Sequence, residues 1–265
     1  MLQAMEELLQ KGRLIDLAQG MKQGMPNFFA HVPFAFTLNV RHLDFEMPGG
    51  LGCANDVIVG CTHSGTHMDA IGHFSKNGCL HGGHDVRQCT NGPGGLLKHG
   101  IEQTPPILRR GVLFDVAGYQ GVEMLDPAYA ITAQELEKVA QAQKIELRSG
   151  DVALIRTGWA KLWDNPERYM GAGKGFPGPD LSGAQWLVRN GASLTGADNC
   201  TYECNPGDGG GQVHGFLLAE QGVQIMENMD LEALAAERIY SFLFFASPLK
   251  IIGATGSPIR PVAIC

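Results

Sequence analysis

Glycine, 36 of the 265 residues, is the feature that most limits what this chain can fold into. It enters backbone conformations closed to other residues and loses more freedom on folding than any of them. A chain so rich in it is built from tight turns, bulges and close backbone approaches, so a helical bundle is disfavoured. Between the glycine-rich stretches lie short apolar runs of strand type: residues 13–18 (RLIDLA), 34–44, 56–61 (DVIVGC), 111–116 (GVLFDV), 151–156 (DVALIR), 223–226 and 242–246. Their β-branched content and length suit buried sheet strands. Helices are expected at 132–143, opened by Thr132 and Glu135 in capping-box spacing, at 180–190 before Gly191, and at 214–221 before Gly222. Residues 75–95, dense in Gly, His and Asn, read as loop. The class is mixed α/β around a curved or barrel-like central sheet.

Composition narrows the function. With 44% hydrophobic and 18% charged residues the chain can bury a sizeable core, and with neither a repeat nor a Pro/Ser linker it reads as a single domain over 1–265. A net charge of −7 without a Lys/Arg run argues against nucleic acid. No apolar stretch approaches the roughly 18 residues of a membrane span. Glu6 and Glu7 stand where a secretory leader would be basic, so a cytoplasmic protein is expected. The seven cysteines form no CxxC pair and read as reduced thiols.

The chemistry concentrates in His63-Ser-Gly-Thr-His67-Met-Asp69-Ala-Ile-Gly-His73. A helix would place His63 and His67 on one face, but Ser64, Gly65 and Thr66 between them disfavour it, and with it a metalloprotease. One straight strand would separate His63 from His73 by about 33 Å, too far to share an ion. The chain must therefore fold back, with Gly65 and Gly72 as the places for it, while His67 and Asp69 stay side by side on one strand face. Two imidazoles and a carboxylate with no thiolate suit Mn²⁺, Zn²⁺ or Fe²⁺ and leave an open position of catalytic type. His81, His84 and His99 show no such grouping.

The segment resembles the HxGTHxDxPxH signature of the cyclase superfamily of metal-dependent hydrolases, with Ile71 in place of the signature proline. Further landmarks of that family match residues 13–26, Ile155 to Trp159 (IRTGW), 176–181 (FPGPDL), 196–198 (GAD), Val213-His214, Glu227-Asn228 and 248–258. Residues 49–56 and the form Asp69-Ala-Ile-Gly-His73-Phe74 look closer to the isatin hydrolase side than to the kynurenine formamidase side. The resemblance implies a swivelling β/β/α fold, a homodimer or higher homo-oligomer, and hydrolysis of a small amide. It carries His63, His67 and Asp69 over as metal ligands and His73 as the pocket histidine. Two-metal relatives add counterparts of His214 and Glu227; the isatin hydrolase type implies a single Mn²⁺ completed by a glutamine, for which Gln212 stands in position.

On that resemblance the expected reaction is opening of a cyclic aromatic amide, isatin to isatinate, with N-formylkynurenine or another small amide or lactone as alternatives. The expected cofactor is a divalent metal, Mn²⁺ before Zn²⁺. His73, or else His214, would shuttle the proton, and Glu227 would assist. If His214 opens a helix, the helix dipole would favour its neutral form. Phe28, Phe29, Phe74 and Trp159 are the candidate walls for an aromatic substrate. A non-haem iron oxygenase using His67, Asp69 and His214 is a rival, but it predicts a basic residue shortly after His214 and none occurs through Asn228. A metal-binding scaffold is a third reading.

Overall fold

In the computed structural model, which describes residues 11–206 and 210–265, the apolar runs other than 34–44 and 56–61 join one nine-stranded sheet. Its centre is four parallel strands, Ile107–Asp115, Asp151–Arg156, Ala192–Ala197 and Gln224–Glu227, in that spatial order. Antiparallel strands extend it on both sides. Ser241–Ala246, Val262–Ile264 and Leu14–Asp16 lie beyond the first, and His67–Asp69 then Gly256–Pro258 lie beyond the last. The result is a mixed α/β fold with a curved, half-barrel-like sheet flanked by helices, as the sequence suggested.

The central strands carry unbroken apolar runs because both faces of the sheet are covered. Along Ile107–Asp115, Val112 and Phe114 point into a core shared with helices Ala133–Gln143 and Leu181–Arg189, whereas Leu113 points into the opposite core with Met68, Leu154 and Phe244. Each such side chain contributes about 1.5–3 kcal/mol when fully buried. The helices begin where their caps direct: the Thr132 hydroxyl accepts from the Glu135 N–H, and the Asp180 carboxylate accepts from Gly183. The helix expected from residue 214 starts earlier, at Gln212, and continues as π-helical turns over Gly215–Gln221. It stops at Gly222, whose φ of +67° is left-handed. The strand Ala192–Ala197 was not anticipated.

One element stands apart from both cores. Ala35–Val40 pairs antiparallel with Asn55–Val59, and all of these residues except Val40 are exposed, including Phe36, Leu38, Val57 and Ile58. No helix among the described residues is long and apolar enough to cross a membrane. The acidic N-terminal positions behind the expected compartment, Glu6 and Glu7, lie outside the described residues.

Candidate metal centre

The His67–Asp69 strand sits between Gln224–Glu227 and Gly256–Pro258, with His67 opposite Glu227 and Asp69 opposite Gly256. Strand alternation sends Met68 into the core and puts His67 and Asp69 on one face. The fold-back inferred from the sequence occurs at Gly65, at φ +64°, and in the tight turn Ile71–His73. His63 is thereby returned to Asp69: its Nδ1 lies 2.8 Å from Asp69 Oδ1, and its Nε2 lies 2.9 Å from Thr255 Oγ1. The ring packs so closely on Gly256 that a Cβ there would come within 2.6 Å of it.

His67 Nδ1 lies 2.9 Å from the Gly65 carbonyl, a partner that can only accept, so Nδ1 carries the proton and Nε2 is turned to the carboxylates. Asp69 Oδ1 is 3.6 Å and Glu227 Oε2 3.4 Å from that Nε2. His214 Nε2 is 3.1 Å from Glu227 Oε1 and 3.6 Å from Asp69 Oδ2. Two buried groups result, His63/His67/Asp69 and Asp69/His214/Glu227, each with ligand atoms within 4.8 Å of one another, and Asp69 belongs to both. Asp69 Oδ2 is buried without a hydrogen-bond partner. An ionised oxygen in that state costs several kcal/mol unless a cation meets it. The donor set of imidazoles and carboxylates, with this orphaned oxygen, fits a divalent metal.

Burial works to raise the Asp69 pKa, but His73, His63 and His67 around it hold the carboxyl well below the ordinary range. Burial depresses the His73 pKa to about 4, so its ring is neutral at pH 7. His214 is opposite: burial would lower its pKa, but hydrogen bonds with Glu203 and Glu227 raise it to about 10. This corrects the helix-dipole expectation for His214. Two carboxylates in contact outweigh the partial charge of a short helix end.

The two groups form the floor of a cavity of about 630 Å³ walled by Phe28, Phe29, His31, Phe74, Met170 and Phe176. His73 lines it as well, its ring 4.2 Å from that of His63. Phe74 lies 4.8 Å from the His214 ring, and Phe29 stands 88% exposed at the cavity's margin. Of the expected wall, Trp159 is displaced. It is buried behind Phe176 with its Nε1–H donated to the Tyr169 carbonyl, so it is core rather than substrate contact. Gln212 is displaced too: it is exposed and does not line the cavity, whereas His214 does. Residues two apart on a helix face roughly opposite ways, so turning His214 inward turns Gln212 out. Sequence reasoning missed His31 and Glu203, which no spacing rule ties to the ligands. His81, His84 and His99 gather elsewhere, with ring separations of 5.7 and 6.0 Å, and belong to neither ligand group.

Comparison with known proteins agrees with this geometry. The model of the Cyclase family, described as "Putative cyclase", matches residues 15–203. Isatin hydrolase of Roseibium aggregatum is 25% identical over 229 residues, covering 83% of this chain and 78% of that one. A crystal structure described as a novel cyclase superposes with a TM-score of 0.87 at 29% identity, over 98% of this chain and 91% of that chain. Isatin hydrolase A from Ralstonia solanacearum superposes with a TM-score of 0.77 at 19% identity, over 100% and 97% of the two chains, and shows the likeness of fold alone. The chain belongs to the cyclase family, and its paired histidine and carboxylate groups are those of a metal-dependent hydrolase.

Proposed function

We propose that this protein hydrolyses the C–N bond of a small cyclic amide fused to an aromatic ring, with isatin, opened to isatinate, as the specific substrate. The observation that carries the reading is the position of Asp69, shared by two ligand groups in a cavity that Phe28, Phe29, Phe74 and Phe176 also line. The similarity to the isatin hydrolase of Roseibium aggregatum supports the choice of substrate.

His63, His67 and Asp69 would hold one divalent ion, and Asp69, His214 and Glu227 a second. These imidazole and carboxylate donors suit either Mn²⁺ or Zn²⁺. A divalent ion so held polarises an amide carbonyl and lowers the pKa of water towards neutrality. The chain's own residues do the rest. Phe28, Phe74 and Phe176 bind the aromatic ring and exclude water from it. His73, neutral at pH 7, takes one proton of the attacking water and returns it to the leaving nitrogen as the C–N bond breaks, giving an amine and a carboxylic acid that releases its proton to solvent. An oxygenase would need a basic side chain for an oxo-acid cosubstrate, and the described residues lining the cavity include no Lys or Arg.

The test is absorbance assays on isatin and N-formylkynurenine after chelation and restoration of Mn²⁺ or Zn²⁺. Metal-dependent loss of isatin is expected. Turnover of N-formylkynurenine alone would move the substrate to the formamidase side, and metal binding without turnover of any amide or ester would leave a scaffold. The exposed Phe36, Leu38, Val57 and Ile58 on the hairpin of Ala35–Val40 and Asn55–Val59 support a homodimer or larger assembly, since neighbouring exposed apolar side chains mark contact surfaces. A monomer mass by light scattering would refute that part.

A further inference from the structure

Glu203 belongs to neither ligand group, yet it is buried at the cavity floor against one of them. One oxygen accepts from the Val213 N–H at 3.0 Å, while the other lies 3.3 Å from the His214 N–H and 2.5 Å from His214 Nδ1. Its carboxylate thus caps the start of the helix and grips the imidazole in the same place. Across the ring, His214 Nε2 faces Glu227 at 3.1 Å and Asp69 at 3.6 Å.

An ionised carboxylate only accepts hydrogen bonds, so the ring nitrogen against Glu203 must carry a proton. A cation held by Asp69, His214 and Glu227 would take Nε2 as its donor, with Glu203 keeping the proton on Nδ1. We infer that Glu203 is a positioning residue that fixes the tautomer and ring plane of His214, and thereby sets the affinity of the Asp69/His214/Glu227 group for its cation. The inference rests on the proposed metal-dependent reading of the site. His67 is set in the same sense, but by the main-chain carbonyl of Gly65, a partner that no side-chain substitution removes. The two histidines His67 and His214 therefore differ in how they are held: one by backbone, the other by a replaceable carboxylate.

That difference supplies the experiment. Chelator-treated protein is titrated with Mn²⁺ in equilibrium dialysis, as wild type, Glu203→Gln and Glu203→Ala. Removing the partner of a metal-binding imidazole typically costs 10- to 100-fold in affinity. The wild type is expected to take up two equivalents, and each variant to bind the second about 10- to 100-fold more weakly with the first unchanged. The unchanged first equivalent shows that the variant is folded, and Glu203→Gln keeps the shape of the side chain. In Zn²⁺-loaded wild type the hydrogen-bonded Nδ1–H proton of His214 should be visible by NMR and lost in Glu203→Ala, which a merely structural role would not require. Wild-type affinity for both equivalents in both variants overturns the inference, and so does a wild type that binds one equivalent. Absence of any amide turnover in a protein that binds metal in this pattern would refute the proposed reaction and leave the role of Glu203 standing.

Discussion

Two buried clusters of charge lie at the carboxyl ends of the parallel strands, and they are finished to different degrees. In the first, Asp115 ends Ile107–Asp115 and Arg156 ends the neighbouring strand, paired in register. The guanidinium donates to Asp115 at 2.7 Å, to both oxygens of Glu232 at 2.7 and 2.9 Å, and to the Glu123 carbonyl at 3.2 Å. The second cluster, at the end of Gln224–Glu227, has two carboxylates and three imidazoles, and it leaves Asp69 Oδ2 without a partner. Both bear the cost of taking charge out of water. The first offsets it with the protein's own hydrogen bonds, whereas the second requires a cation from outside. Buried charge therefore separates into a structural and a functional role according to whether the hydrogen bonds close.

The comparison breaks most sharply at Asp69. Asp69→Ala removes the ligand common to both groups, and activity is expected to fall to background with most metal binding lost. Full activity with stoichiometric metal would mean that the open cluster is not the working one. His73→Ala should lower the rate by about 10²- to 10⁴-fold, the share of a positioned acid–base group, with metal content unchanged. A parallel loss of metal would make His73 a ligand. Arg156→Ala should do the reverse of Asp69→Ala. It strands Asp115 and Glu232 and should cost about 3–5 kcal/mol of folding stability in urea melts, while the metal content of the folded fraction stays at the wild-type level. Loss of metal at conserved stability would show that the closed cluster also serves the site.

Much of this architecture was legible because it depends on local pattern. The β-branched run at Asp151–Arg156 and the cap at Thr132 fix their elements with few neighbours, and the pairing of His67 with Asp69 needs only strand alternation. What was not legible depends on sheet order. Ala192–Ala197 (ASLTGA) is small and half polar, and it is a strand because parallel neighbours flank it on both sides. Ile107–Asp115 begins four residues before the apolar run at 111–116 because Ser241–Ala246 pairs along it as far as Ile107. Thr255 and Gly256 reach the site through the pairing of Gly256–Pro258 with His67–Asp69, and Glu203 through its bonds to Val213 and His214 at the helix start. The outward position of Gln212 has the same origin. A helix start at Gln212 instead of His214 changes which side chains face the cavity, and residue spacing alone does not set that start.

Gln212 therefore carries the smallest expected effect. It is exposed at the first residue of its helix, outside the cavity that His214 lines. An amide ligand there would favour Mn²⁺ over softer metals, whereas the Asp69/His214/Glu227 group needs no glutamine. Gln212→Ala should then leave the number of bound equivalents and the order of preference between Mn²⁺ and Zn²⁺ unchanged, and alter stability by no more than about 0.5 kcal/mol, as for ordinary surface positions. Side-by-side metal titration of this variant and Glu227→Gln decides the matter. Loss of an equivalent in Glu227→Gln alone places the second ion between Asp69, His214 and Glu227. The opposite pattern would return Gln212 to the coordination sphere, and His214 and Glu227 would then complete each other as Arg156 and Asp115 do.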